Sequence, residues 1–230
     1  VHLEEVRFTR SQTKRRLKFT LPGPMTICDT IADEHYGSRP EMAMAFAELL
    51  NAEAKDLVSA GIDVIQFDEP AFNVFIDDVN DWGIATLNRA VEGLKCTTAV
   101  HICYGYGIEE NLKWKETLGG EWRQYNAIFP AINESAVDQV SLECAGSRVP
   151  MSLIAHLRDK EVMVGTVAVT PDRIELPEEI AATIRKAMAY VDAERILPCT
   201  NCGMAPIPYN VAVGKLQALA AGATLARQSI

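Results

Sequence analysis

The sequence predicts an α/β fold, a (β/α)8 barrel, and three observations lead to this prediction. Short apolar segments rich in Val and Ile recur six times along the chain. Helix-like segments separate them, which is typical of a parallel sheet covered by helices. Side chains capable of chemistry follow the carboxyl ends of nearly all the apolar segments, where barrel enzymes carry their active sites. An open, doubly wound sheet is the alternative, but it would gather such residues at one crevice.

Six segments are predicted to be strands. They are short and apolar and show little alternation, as expected for strands that are buried on both faces of a sheet. The predicted strands cover residues 17–21, 62–67, 98–103, 139–143, 162–165 and 195–199.

Helices are predicted between the strands from their start and stop signals. Pro40 and Gly61 bracket a helix over 40–60, because proline suits a first helical turn and glycine often follows a helix end. Pro177, followed by two glutamates, begins a helix over 177–191, since carboxylates are favourable at the positive end of a helix. The other predicted helices cover 81–94, 121–135, 150–158 and 210–227.

Length and composition restrict the class of protein. The 230 residues are expected to form a single domain, 1–230, and the chain begins with Val1. Since six units make only part of an eight-unit barrel, we expect this sequence to lack one or two upstream units. The net charge of −9 argues against a nucleic-acid partner. No apolar run reaches the ~20 residues of a membrane span. Six sparse cysteines favour reduced thiols and a cytoplasmic location.

His101 and Cys103 are the strongest candidates for metal ligands. They end a predicted strand at a spacing of two residues, so both side chains point to the same face. Imidazole nitrogen and thiolate sulfur both suit Zn²⁺. Glu143 closes another apolar strand, where a buried carboxylate needs a compensating cation. Its structural alternative is a salt bridge to Arg148.

Cys199 and Cys202 form a C-x-x-C pair with two possible roles. A redox pair usually lies at a helix N-terminus, but here prolines delay the next helix. The pair can instead supply one ligand and one bystander. Cys202 lies past the strand end and is the favoured ligand. A catalytic zinc has three or four protein ligands and an exchangeable position, and it can bind and activate a thiol substrate.

Asp68 and Glu69 end a further predicted strand, and Pro70 then forces a turn. Adjacent side chains diverge, so at most one of the two carboxylates faces the site. Such a carboxylate can act as an acid or base, or it can bind the ammonium group of an amino acid. The structural alternative is a helix N-cap or a surface turn. Both residues are candidates for a catalytic role, and Asp68 is also a candidate for substrate binding.

Five motifs together resemble the catalytic domain of cobalamin-independent methionine synthases, most closely the short, single-barrel members. The resemblance runs from about Lys18 to the C-terminus, with the motifs in the family's order. The motifs are Leu21-Pro-Gly-Pro-Met-Thr26, Ile65-Gln-Phe-Asp-Glu-Pro-Ala71, His101-Ile-Cys103, Ser141-Leu-Glu143 and Asn201-Cys-Gly203.

This resemblance implies a zinc-dependent transfer of a methyl group to the thiol of L-homocysteine, giving methionine. It implies that His101, Cys103, Glu143 and Cys202 are zinc ligands and that Asp68 holds the amino group of the substrate. The implied methyl donor is methyltetrahydrofolate, a methylated corrinoid, or a donor delivered by an accessory protein. Three alternatives remain: a zinc enzyme that alkylates another thiol, a zinc-binding scaffold without chemistry, and a redox protein that uses Cys199 and Cys202.

Overall fold

The computed structural model describes residues 1–105, 109–170 and 172–228. Its six strands form one sheet in chain order, and helices separate successive strands along the chain. The predicted α/β class is therefore confirmed. Every predicted strand is present, with bounds that differ from the prediction by at most two residues. The strands are β1 (Lys18–Pro22), β2 (Val64–Asp68), β3 (Thr97–Ile102), β4 (Gln139–Glu143), β5 (Glu161–Val167) and β6 (Ile196–Thr200).

The helices agree with the prediction except at a few places. The α-helices are α1 (Leu3–Gln12), α2 (Pro24–Thr30), α3 (Arg39–Ser59), α4 (Ile76–Asp78), α5 (Ile84–Val91), α6 (Glu109–Thr117), α7 (Gln124–Asn133), α8 (Pro177–Ala187) and α9 (Tyr209–Arg227). Three of them, α1, α2 and α6, were not predicted. The helix predicted over 81–94 begins earlier, with α4 and α5 joined by a π-helical turn at Val79–Gly83. The one predicted over 150–158 is a 3-10 helix, Met151–His156.

The chain forms two compact units. The first comprises Val1–Ile102 and Pro130–Val140. Within it, β1, β2 and β3 pair in parallel, and Asp68 lies in register with His101 at the ends of β2 and β3. A buried side-chain amide joins α3 to the end of α5: Asn51 Nδ2 donates to the carbonyl oxygens of Ala90 and Glu92, each at 2.9 Å. In this unit, the ends of β2 and β3 carry the candidate site residues.

The second unit comprises Cys103–Phe129 and Ser141–Ile230. In it, β5 and β6 pair in parallel, and α8 packs closely against α9. That close packing requires Gly222, because a Cβ there would lie 2.6 Å from Cβ of Ile180. A buried lysine on α9, Lys215, pairs with Glu175 in the segment that precedes α8, at 2.9 Å. Among the helices of the described residues, none is both long and apolar enough to cross a membrane.

Candidate metal centre

Two candidate ligands lie at the end of β3. The strand forms from β-branched and small apolar residues and is buried over almost its whole length. His101 is 4% exposed, and Cys103, which follows the strand, is 5% exposed. The backbone of His101 is fixed by its neighbour, since its carbonyl oxygen accepts from the Glu69 N–H at 2.8 Å. The end of β3 therefore places a nitrogen and a sulfur atom that could bind a metal in buried positions.

A second thiol meets Cys103 in the second unit. Cys202 Sγ lies 3.8 Å from Cys103 Sγ and donates a hydrogen bond to it. The neighbouring Cys202 thiol and burial both raise the pKa of the Cys103 thiol well above its usual range. The ligand atoms of His101, Cys103 and Cys202 all lie within 4.8 Å of one another. A buried thiol that is costly to ionise by itself, with a second sulfur and an imidazole nitrogen beside it, forms a site that suits a cation.

Glu143 ends β4 and is 1% exposed. Its Oε1 accepts a hydrogen bond from the backbone N–H of Tyr104 at 2.8 Å, directly beside Cys103. Among the described residues, the group that meets the 4.8 Å limit does not include Glu143. Arg148, the partner in the structural alternative for this carboxylate, donates to the carbonyl of Gly119 at 2.8 Å.

The turn after β3 is anchored by an aromatic cluster. The Tyr104 ring stacks on Trp114 of α6, with centroids 5.8 Å apart, and packs on Trp122 with centroids 4.8 Å apart. Gly105 has a φ of +75°, a conformation that favours glycine. Its carbonyl accepts from Lys115 Nζ at 2.5 Å. These contacts fix the backbone that carries both Cys103 and the amide beside Glu143.

The two cysteines of the C-x-x-C pair contact different partners. Cys202 faces Cys103, whereas Cys199 Sγ lies 4.0 Å from Ser141 Oγ. The Cys202 carbonyl accepts from Thr200 Oγ1 at 2.9 Å, which orders the loop after β6. This arrangement favours one ligand and one bystander over a redox pair.

Asp68 lies at the end of β2, in register with His101. In-register residues of neighbouring parallel strands point to the same face of the sheet. Gln66 Nε2 donates to Asp68 Oδ1 at 2.8 Å, and Gln66 Oε1 accepts in turn from Lys18 Nζ at 2.8 Å. Asp68 is partly exposed, so this side chain is an oriented carboxylate that a solute can reach.

Glu69 has a different environment. It directly follows β2, and its fully buried side chain lies against the first turn of α2. Its carboxylate accepts from the backbone N–H groups of Met25 and Thr26 at 3.0 and 2.9 Å, and from Thr26 Oγ1 at 2.7 Å. A Cβ at Gly23 would lie 2.1 Å from the carboxyl carbon of Glu69, so only glycine leaves room. These contacts favour the structural alternative for Glu69 and leave Asp68 as the carboxylate available to a substrate.

The buried carboxyl of Glu69 leads to a testable pH dependence of stability. Burial raises its pKa from 4.5 to about 7. The protonated form is therefore favoured in the folded state, and the stability it contributes is lost as the pH rises through the folded pKa. At about 1.4 kcal/mol per pH unit, the loss is about 3 kcal/mol. The free energy of unfolding should therefore fall, relative to Glu69→Gln, as the pH rises from about 4.5 to about 7. Urea unfolding of both proteins across this range tests it, and parallel curves would contradict it.

Two residues that contribute to this candidate site were given no role of their own in the sequence prediction. Tyr104 acts through its backbone amide, which no side-chain pattern reveals, although its position directly after His-x-Cys is a usable signal. Asn201 acts through its side-chain amide, which binds the backbone after Glu143. Its place directly before Cys202 is the corresponding signal.

Comparison with known proteins identifies relatives of this chain. A methionine synthase of Sulfolobus acidocaldarius is 30% identical over 229 residues, which are 99% of this chain and 62% of that protein. A B12-independent methionine synthase from Shewanella, solved in complex with selenomethionine, is 58% identical with a TM-score of 0.97. It is matched over 100% of this chain and 67% of its own. The chain thus spans about three fifths of the curated relative's length.

The fold is shared more widely than the sequence. A putative vitamin-B12 independent methionine synthase from Listeria monocytogenes has a TM-score of 0.71 at 16% identity, over 99% of this chain and 69% of that one. The close match to the Shewanella structure confirms the predicted barrel-type α/β fold. The family model described as cobalamin-independent synthase, catalytic domain, matches residues 1–224. The chain therefore belongs to the family of cobalamin-independent synthase catalytic domains.

Proposed function

We propose that this chain is the catalytic part of a zinc-dependent methyltransferase that methylates the thiol of L-homocysteine to give methionine. The observation that carries the proposal is the 3.8 Å separation of the Cys103 and Cys202 sulfurs. At a Zn–S distance of about 2.3 Å, two sulfurs on a tetrahedral ion lie about 3.8 Å apart. The two thiols therefore have the spacing that zinc requires.

Four residues would hold the ion: His101, Cys103, Cys202 and Glu143. The first three are the close group of nitrogen and sulfur atoms. Glu143 would be the labile or charge-balancing ligand, because its carboxylate has a second partner in the Tyr104 amide. Bound zinc supplies one chemical effect, which is to lower the pKa of a coordinated thiol so that its sulfur is a nucleophile at neutral pH.

Asp68 would bind the ammonium group of homocysteine. Its carboxylate is partly exposed, is oriented by Gln66, and lies in register with His101. An ion pair there would hold the amino acid by its ammonium group. The structure of the Shewanella relative in complex with selenomethionine supports this substrate class, since selenomethionine is methionine with selenium in place of sulfur.

The methyl donor is methyltetrahydrofolate or a methylated corrinoid, with or without an accessory protein that delivers it. In either case the sulfur–methyl bond forms as the donor–methyl bond breaks and the donor keeps the electron pair of the broken bond. The proton that the homocysteine thiol gives up passes to the demethylated folate or, with a corrinoid donor, to solvent. We also infer a cytoplasmic location, because all six cysteines are thiols rather than disulfides. A related enzyme that alkylates another thiol, and a zinc scaffold without chemistry, are the competing functions.

Zinc-edge X-ray absorption of the full-length protein, with and without homocysteine, tests the proposal. We expect two sulfur neighbours in the resting protein and a third after homocysteine is added. A control thiol without an amino group should add sulfur only at much higher concentration, because it cannot pair with Asp68. An unchanged sulfur count would support the scaffold, and equal binding of both thiols would contradict homocysteine as the specific substrate.

A further inference from the structure

Asn201 is a buried amide that joins the ends of two strands in the second unit. It is 1% exposed. Its Nδ2 donates to the carbonyl of Ala145 at 2.6 Å, and its Oδ1 accepts from the N–H groups of Cys144 and Ala145 at 3.2 and 3.3 Å. Its own backbone N–H donates to Val167 O at 2.8 Å. The side chain therefore binds the backbone directly after Glu143, while its chain neighbour is Cys202.

Gly165 on β5 gives this side chain the space to reach from β6 to β4. A Cβ at Gly165 would lie 2.3 Å from Asn201 Oδ1 and 2.7 Å from the Leu142 carbonyl oxygen. The β5–β6 register is also irregular between Gly165 and Val167. Gly165 and the irregular register thus lie at the point where the Asn201 side chain passes β5.

We propose that Asn201 is a positioning residue for the metal centre, which fixes Cys202 relative to Glu143. The inference rests on the proposed function, since it takes these two residues as zinc ligands. Three contacts join three short chain segments into a closed ring. They are the Cys103–Cys202 sulfur pair, the hydrogen bond from the Tyr104 amide to Glu143, and the hydrogen bond from the Asn201 amide to Ala145. Without the Asn201 contact the ring is open, and the loop that carries Cys202 is no longer tied to the β4 end.

A merely structural role for Asn201 also predicts lower stability, so the test needs a readout of the metal site itself. Asn51 provides the matched control, because it is another buried asparagine whose amide binds two backbone carbonyls, on α5 and just after it. The measurements are the Zn²⁺ dissociation constant from chelator competition and the thiolate-to-metal charge-transfer spectrum of the Co²⁺-substituted full-length protein. Both are independent of methyl transfer.

Asn201→Ala is expected to weaken zinc binding about 10- to 100-fold, as for other residues that orient metal ligands, and to change the Co²⁺ spectrum. Asn51→Ala should leave both unchanged. Asn201→Asp keeps the acceptor and loses the donor to Ala145, so it should lower zinc affinity less than Asn201→Ala. If Asn201→Ala does not fold, the zinc affinity of Asn201→Asp tests the proposal instead. Wild-type affinity and spectrum in the folded Asn201 variants would overturn the inference. A wild-type protein that binds no zinc would instead refute the proposed function, and this inference with it.

Discussion

Cys202→Ser is expected to abolish tight zinc binding and methyl transfer in a protein that remains folded. Serine matches cysteine in shape, but its hydroxyl stays protonated at neutral pH and is a poor ligand for zinc. Cys202 is only partly buried, so the substitution leaves no large cavity. We expect zinc affinity to fall by more than about 100-fold, beyond the range of an outer-shell change. Zinc content by mass spectrometry and turnover with homocysteine measure the two effects.

Cys199→Ser is the matched control, because it alters the other cysteine of the same C-x-x-C pair. Its sulfur faces Ser141 rather than Cys103. We expect zinc content and turnover close to those of the wild type. Loss of zinc in Cys199→Ser with retention in Cys202→Ser would reverse the assignment, and loss of turnover in both variants with zinc retained would favour a redox pair.

Lys215→Met is expected to lower the free energy of unfolding by about 3–5 kcal/mol, because it breaks a buried ion pair from one side. Lys215 has no exposed side-chain surface and lies 2.9 Å from Glu175 Oε2, which is itself only 12% exposed. The methionine fills most of the volume but leaves the carboxylate without its cation. The same ammonium group also donates to the Arg173 carbonyl at 2.6 Å, and that contact is lost too. Urea unfolding measures the change.

The double variant Lys215→Met/Glu175→Gln is the control for this prediction. It removes both charges, while the amide oxygen introduced by Glu175→Gln can still accept from the Ala168 N–H, as Glu175 Oε1 does at 3.0 Å. Its stability should recover most of the loss, since no uncompensated charge is left in the interior. If Lys215→Met alone were as stable as the wild type, the ion pair would have no net effect on folding.

Strands could be predicted from the sequence because burial on both faces leaves a direct mark on composition. β4, for example, is buried at every position, and its predicted and observed bounds agree. Helix α6 could not be predicted, because none of its residues is buried and it has no apolar stripe. Helix α2 begins at Pro24 after two turn-forming residues and depends on the Glu69 carboxylate for its first N–H groups. That contact joins distant segments of the chain.

The same distinction between local sequence patterns and contacts of distant segments applies to the candidate site. The alternation of side chains along a strand was enough to predict that His101 and Cys103 share a face. The contact between Cys103 and Cys202 joins residues that are far apart in the chain, and the sequence indicated it through the loop position of Cys202 and the family resemblance. The contacts of Tyr104 and Asn201 with the backbone or carboxylates of other segments leave no pattern in composition. The candidate ligands could therefore be predicted from the sequence, whereas the hydrogen bonds of Tyr104 and Asn201 that orient them could not.

The hydrogen bond from Tyr104 to Glu143 has a consequence for ligand exchange. A carboxylate that leaves a cation inside a protein normally becomes a bare, poorly solvated charge, which is costly. Glu143 accepts a hydrogen bond from the Tyr104 amide at 2.8 Å. If Glu143 is a ligand of the proposed zinc ion, the Tyr104 amide would remain as a hydrogen-bond donor for its carboxylate when a substrate sulfur took its place, so that the anion would not be left without a partner.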